Sequence, residues 1–226
     1  MKVYSILKVF RTLVLTAAIA IGILSQETAE HANANKPNID QKEYVHPEDL
    51  FNVLKSRDVD KIIRITNRIK FMSYRGVMLP VVHELWIKTV HKYPDLPWDI
   101  INLPIIRLEF ADILIQAQRS GLIKVDTEDI HSFVAELIEK DDVMLSIKAI
   151  LILSYFNEKR DVHKILAIAK KQLKATFRTA VVALVNMCVP GARVALDDLE
   201  KYVTDEKRRR FIVQTRRKFE KFEICR

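Results

Sequence analysis

Residues 146–171, SIKAILILSYFNEKRDVHKILAIAKK, lie over residues 176–201, TFRTAVVALVNMCVPGARVALDDLEK, with a shift of 30 positions. Lys148 falls on Arg178, Ala149 on Thr179, Leu151 on Val181, Leu153 on Ala183 and Leu166 on Leu196. A further step of 30 brings Arg208 onto Arg178 and Phe211 onto Val181. Each unit reads as an apolar helix, a short turn and a second, amphipathic helix. Such a pair cannot bury its apolar stripe alone, and stacking against neighbouring pairs completes the core.

The rest of the chain carries the same periodicity. Only four glycines occur, β-alternating runs are scarce, and apolar residues recur at three and four positions throughout. The spacing predicts about ten helices, at 47–56, 58–71, 78–92, 104–120, 127–139, 142–156, 161–172, 174–188, 191–203 and 205–222. Pro47 opens the first, with Glu48 and Asp49 in its first turn. Asp58, Asp126, Asp142 and Asp161 each stand where an N-cap carboxylate can accept orphan backbone N–H groups. KYPDLPWDIINLP (92–104) holds three prolines and reads as an irregular connector.

Lys148-Ala149-Ile150-Leu151 and Arg178-Thr179-Ala180-Val181-Val182-Ala183-Leu184 open their helices with a basic residue and a run of small apolar ones. With the short turn and Leu-bearing second helix, this pattern resembles HEAT-type repeats of the short, roughly 30-residue kind. The likeness covers 142–222. The N-terminal half departs from the period, because its fourth helix is longer and the proline-rich connector interrupts the register. The resemblance implies an all-α, right-handed α-α superhelix (a HEAT-like solenoid) that binds another macromolecule, and it implies no catalysis. The reading gives one helical-repeat domain over 47–226, preceded by an extended leader at 35–46.

The N-terminus predicts export. Lys2, Lys8 and Arg11 precede LVLTAAIAIGILS (13–25), an uncharged run of 13 residues, shorter than the roughly 20 needed to span a bilayer. Ala32-Asn33-Ala34 supplies a cleavage site, so 1–34 reads as a signal peptide and a bacterial periplasm as the destination; an uncleaved anchor is the alternative. Removing 1–34 (three cations and two acids) lowers the net charge from +8 to +7. Cys188 and Cys225 are the only cysteines. In an oxidising compartment they form a bridge more readily than a metal site. Alternation places both at one end of the stack, where a disulfide would pin the C-terminal tail.

Motifs for chemistry are sparse. His83-Glu84 lacks the second histidine four residues on, since position 87 is Ile and His91 lies eight away. His46, His131 and His163 are scattered, and the acids near His46 and His131 are explained by capping. Glu109 and Asp112 stand at i,i+3, with Arg107 nearby to make an ion pair. No Gly-flanked nucleophile turn or phosphate-cradling glycine loop occurs. No catalytic residue, metal or cofactor is expected.

The expected function is therefore that of an exported, non-enzymatic protein-binding or adaptor module, one version being an immunity-type inhibitor of a periplasmic toxin. In HEAT-like stacks the second helices commonly line the binding face, which here exposes His163, Lys164, Lys170, Lys171, Arg193, Asp197, Asp198, Glu200 and Lys201. Against this stands the reading of an ordinary solvated face. Tyr93 and Trp98 on the connector are either interface anchors or a plug for the core. The alternatives are an envelope-acting hydrolase whose site is dispersed in sequence and, if the N-terminus is not a signal, nucleic-acid binding. The basic end DEKRRRFIVQTRRKFEKFEICR (205–226), nine cations to four acids, reads as a capping helix. On it Phe211, Thr215, Phe219 and Phe222 form the apolar stripe. Its cations could touch anionic lipid; nucleic acid is not expected once export is accepted.

Overall fold

The computed structural model describes residues 44–221 except 73–74, 141 and 172–173. The export segment, residues 35–43 of the leader, Phe222 and Cys225 lie outside the described residues. Among the described residues eleven α-helices follow in order: α1 (Pro47–Lys55), α2 (Val59–Phe71), α3 (Met78–Trp86), α4 (Trp98–Ile101), α5 (Pro104–Arg119), α6 (Thr127–Leu137), α7 (Val143–Phe156), α8 (Lys159–Lys170), α9 (Lys174–Asn186), α10 (Pro190–Tyr202) and α11 (Glu206–Lys221). Single 3-10 turns sit at Arg75–Val77 and Val90–Lys92, and no strand occurs among the described residues.

Three of the four expected caps form. Asp58 accepts from the Lys61 N–H, Asp126 from Glu128, and Asp142 from Met144 and Leu145, so each helix start is fixed by a carboxylate on otherwise orphan donors. The fourth does not. α8 begins two residues earlier than expected, at Lys159, and Asp161 lies inside its first turn, fully buried. The expected helix over 78–92 also stops early, at Trp86. Lys88 adopts left-handed backbone (φ 58), and the Glu84 carbonyl accepts from both the N–H and the hydroxyl of Thr89. The connector holds one turn of helix, α4, where Pro97 precedes Trp98.

The helices pack in two layers. The first helices of successive pairs touch in a row, α5 on α7, α7 on α9, and α9 on α11; α2 and α3 extend that row by packing on α5. In the second layer α8 lies on α10, and α6 and α8 brace the next first-layer helices, α7 and α9. This is an all-helical architecture compatible with a helical-repeat solenoid. The 30-residue shift carries buried positions onto buried positions: Ile150 onto Ala180, Leu153 onto Ala183, Val162 onto Ala192, Ile165 onto Ala195 and Ala169 onto Leu199. One more step places Ile212 on Val182 and Thr215 on Val185, again buried on buried. Phe211, expected to lead the terminal stripe, is half-buried, and Ile212 beside it is the fully buried residue.

One continuous core results, running from Val45 in the leader to Ile212 in α11, with Phe110 and Phe177 its largest fully buried side chains. α5 and α7 lie inside it, covered on several sides; α7 is apolar nearly all round, whereas α5 also carries Arg107, Glu109 and Asp112. α8 and α10 carry apolar residues on one side only. That contrast decides where polar chemistry is placed: a polar group on the buried sides of α5 must find an internal partner, whereas α8 and α10 turn most of theirs outward, the fully buried Asp161 of α8 excepted.

Candidate functional site

α5 buries Arg107 and Glu109 along with eight apolar residues. Two positions apart on a helix, they point to different sides, so they do not pair as the sequence suggested. Arg107 turns to α3. Its guanidinium stacks 3.7 Å from the Trp86 ring centroid, faces Phe133 at 5.6 Å, and donates to the carbonyl oxygen of Trp86 at 2.5 Å. It therefore satisfies an end carbonyl of α3, while Trp86 Nε1 donates to Asp129 at 2.9 Å. Burial pulls the Arg107 pKa down to about 10, with the Asp129 charge opposing.

Glu109 turns the other way, into a cluster of alternating charge. Lys70 of α2 donates to Glu109 Oε2 at 2.7 Å and pairs with Asp112 Oδ2 at 2.6 Å. Lys148 of α7 binds Glu109 Oε1, and the Thr66 hydroxyl lies 3.2 Å from Oε2. Gln116 Nε2 donates to the other Asp112 oxygen at 2.6 Å. Burial opposes the charge on Lys70, but Asp112 and Glu109 outweigh it and raise its pKa. On Lys148 burial wins, aided by the nearby Lys70 charge, and its pKa falls. Tyr155 beside them is pushed up by burial and then by the Asp112 charge. Two acids and two lysines compensate one another, and the cluster holds α2, α5 and α7 together. The two lysines that complete it were missed in sequence. Lys70 and Lys148 lie 39 residues on either side of Glu109, and only the layering brings them together.

His131 and Asp161 form a second internal pair, joining α6 to α8. Both are buried, and His131 Nε2 lies 2.9 Å from one Asp161 oxygen and 3.0 Å from the other. Burial raises the Asp161 pKa, and the His131 bond opposes the rise. The carboxylate expected to cap α8 is thus an inter-helix partner, and the histidine read as scattered is its mate. Their spacing of 30 residues equals the repeat shift, and that was the available signal.

The residues expected to bind a partner divide by environment. Lys164, Lys171, Arg193 and Asp198 are exposed on α8, its end and α10; Lys170 lies half-buried with its ammonium 5.3 Å from the Tyr202 ring centroid. Asp197 differs: with Glu200 it is held by Arg216 of α11, at 2.7 Å for Asp197. Arg216 thus offsets two of the acids of this face. Tyr93 and Trp98 are half-buried against the core, and Trp98 Nε1 donates to the Tyr93 carbonyl at 2.9 Å. Tyr93 donates its hydroxyl to Glu84, which also binds Lys92; these bonds hold the Glu84 carboxyl below its ordinary range.

Cys188 is exposed just after α9, and its N–H donates to Asn157 Oδ1 at 2.6 Å, linking the turns of successive pairs. Its expected mate, Cys225, lies outside the described residues. Between α10 and α11 a shallow opening of about 220 Å³ is lined by Glu200, Glu206, Arg209, Arg210, Val213, Gln214 and Arg217. Among the described residues no helix is long and apolar enough to cross a membrane. No family model, curated protein or solved structure matches the chain.

Proposed function

We propose that the chain is an exported, non-enzymatic binding module built of HEAT-like repeats in a right-handed superhelix, and that its α8–α10 layer holds an acidic protein surface. The observation that carries the reading is the division of charge between the layers. Inside the first layer, Glu109 and Asp112 are consumed by Lys70 and Lys148, where they fix helix packing. The second layer keeps Lys164, Lys171 and Arg193 exposed against the exposed acid Asp198, while Arg216 ties up Asp197 and Glu200. A cationic, shallow helical face suits an acidic partner more than a small substrate. A toxin neutralised in the periplasm is one such partner, and a bridge between Cys188 and Cys225 would suit that compartment.

The test begins with cell fractionation, which should place the chain in the envelope, cleaved near Ala34. Tagged wild type and the K164E/R193E variant are then used to capture partners from the envelope fraction. Wild type should retain one stoichiometric protein, and the charge reversal should weaken its binding by about tenfold or more. Equal capture by both proteins, or a cytosolic location, would sink the reading.

A further inference from the structure

We propose that His131, Asp161 and Glu158 form a binding site for one divalent transition-metal ion of the zinc class, clamping α6 to the start of α8. One donor atom from each residue lies within 4.8 Å of the other two, and both His131 and Asp161 are buried. The His131 ring is held edge-on against Phe156, with centroids 5.0 Å apart and planes at 86°. That contact directs Nε2 at the carboxylate, between its two oxygens rather than along one of them.

These distances are close to those between donors around one ion. In a tetrahedral site two donors each about 2.1 Å from the metal lie about 3.4 Å apart. Nε2 sits 2.9 and 3.0 Å from the Asp161 oxygens, so a widening of about half an ångström lets one ion take the imidazole and the carboxylate together. Glu158 supplies the third ligand from the residue before α8. Its carboxylate makes no cap bond to the helix. One of its oxygens is 2.5 Å from Arg160 Nε, and Arg160 also forks onto Glu128 at 3.0 and 2.7 Å. Arg160 therefore keeps an acidic partner when Glu158 turns to a metal.

Charge favours the same occupant. Asp161 is fully buried, so the site disfavours an uncompensated carboxylate. A neutral imidazole with two carboxylates offers a divalent ion one nitrogen and two oxygens, a donor set suited to zinc rather than to the all-oxygen sites of calcium and magnesium. Three protein ligands leave one tetrahedral position for water. The alternative occupant of the same geometry is a proton, which would make His131 and Asp161 a buried ion pair.

The experiment uses the full chain, stripped with chelator, and titrated with ZnCl2 by calorimetry and with CoCl2 by visible absorption. One equivalent should bind, Co²⁺ should give the intense absorption of a four-coordinate site, and Zn²⁺ should raise the melting temperature. His131→Ala would strand the buried Asp161 carboxylate, so the deciding variant is Glu158→Gln, half-exposed at a helix start. It should fold normally and lose about tenfold or more in Zn²⁺ affinity. His163→Ala, on the exposed side of α8, should bind as wild type does. No binding by the stripped wild type would overturn the proposal in favour of the ion pair. Unchanged affinity in Glu158→Gln, or loss only in His163→Ala, would overturn it in favour of a surface site.

Discussion

Replacing Glu109 by Leu tests whether the charges inside the first layer are held there by mutual compensation. The side chain is about as large as before but presents no acceptor. Lys70 would keep Asp112 at 2.6 Å and Asn67 Oδ1 at 3.0 Å, and the Thr66 hydroxyl would keep the Ile63 carbonyl at 3.0 Å. Lys148 is the group left stranded: its ammonium binds Glu109, and its side chain is only 21% exposed. Removing one member of a buried pair costs about 3–5 kcal/mol, most of it the desolvated charge left behind. Because Lys148 retains some solvent, the lower end, about 3 kcal/mol, is the expected loss. With a urea slope of about 2 kcal/mol/M, the unfolding midpoint should fall by about 1.5 M without a change in slope. The double variant E109L/K148M strands nothing, so it should recover at least about 1 kcal/mol relative to E109L. A loss below about 1 kcal/mol in E109L would put this cluster with ordinary surface pairs. Failure of K148M to restore stability would refute the stranded-charge argument outright.

Tyr155 keeps its proton in the folded chain beyond the ordinary phenol value of 10.0, so above that pH the folded state holds a proton the unfolded state has lost. Stability should therefore fall with rising pH above 10, and wild type should lose about 1.4 kcal/mol per pH unit more than Y155F in alkaline urea titrations. Asp142→Ala removes the acceptor for the N–H groups of Met144 and Leu145 and should cost about 1 kcal/mol by thermal melting. Arg107→Lys keeps the charge but cannot both stack on Trp86 and reach its carbonyl; it should cost about 1–3 kcal/mol and alter tryptophan fluorescence.

Most of the helical layout was legible because periodicity and capping act locally. Asp58, Asp126 and Asp142 cap where their neighbours in sequence require it, and the 30-residue shift carries core positions onto core positions. What could not be read depends on groups distant in sequence. Arg107 and Glu109 look like partners until α5 is seen to be covered on several sides, which sends one to Trp86 and the other to Lys70 and Lys148. Asp161 has the composition of a cap, yet α8 starts at Lys159 and the carboxylate meets a histidine of the preceding pair. Lys88 in left-handed backbone ends α3 six residues short of the expected boundary, with no glycine to announce the break. The proposed binding face was legible as a row of helix positions, but Arg216's hold on Asp197 and Glu200 required the placement of α11.

The Glu109 cluster also bears on how the chain comes apart. In a stack where each pair touches only its neighbours, unfolding can begin at any weak joint and spread. Here the boundary between the irregular first half and the periodic second half is crossed by Lys70, Glu109 and Lys148, drawn from α2, α5 and α7. These three helices must open together or leave charge in the core. Amide exchange should therefore show them as one slow cooperative block, with α10 and α11 exchanging first, so that the place where the sequence pattern changes is the least separable part of the molecule.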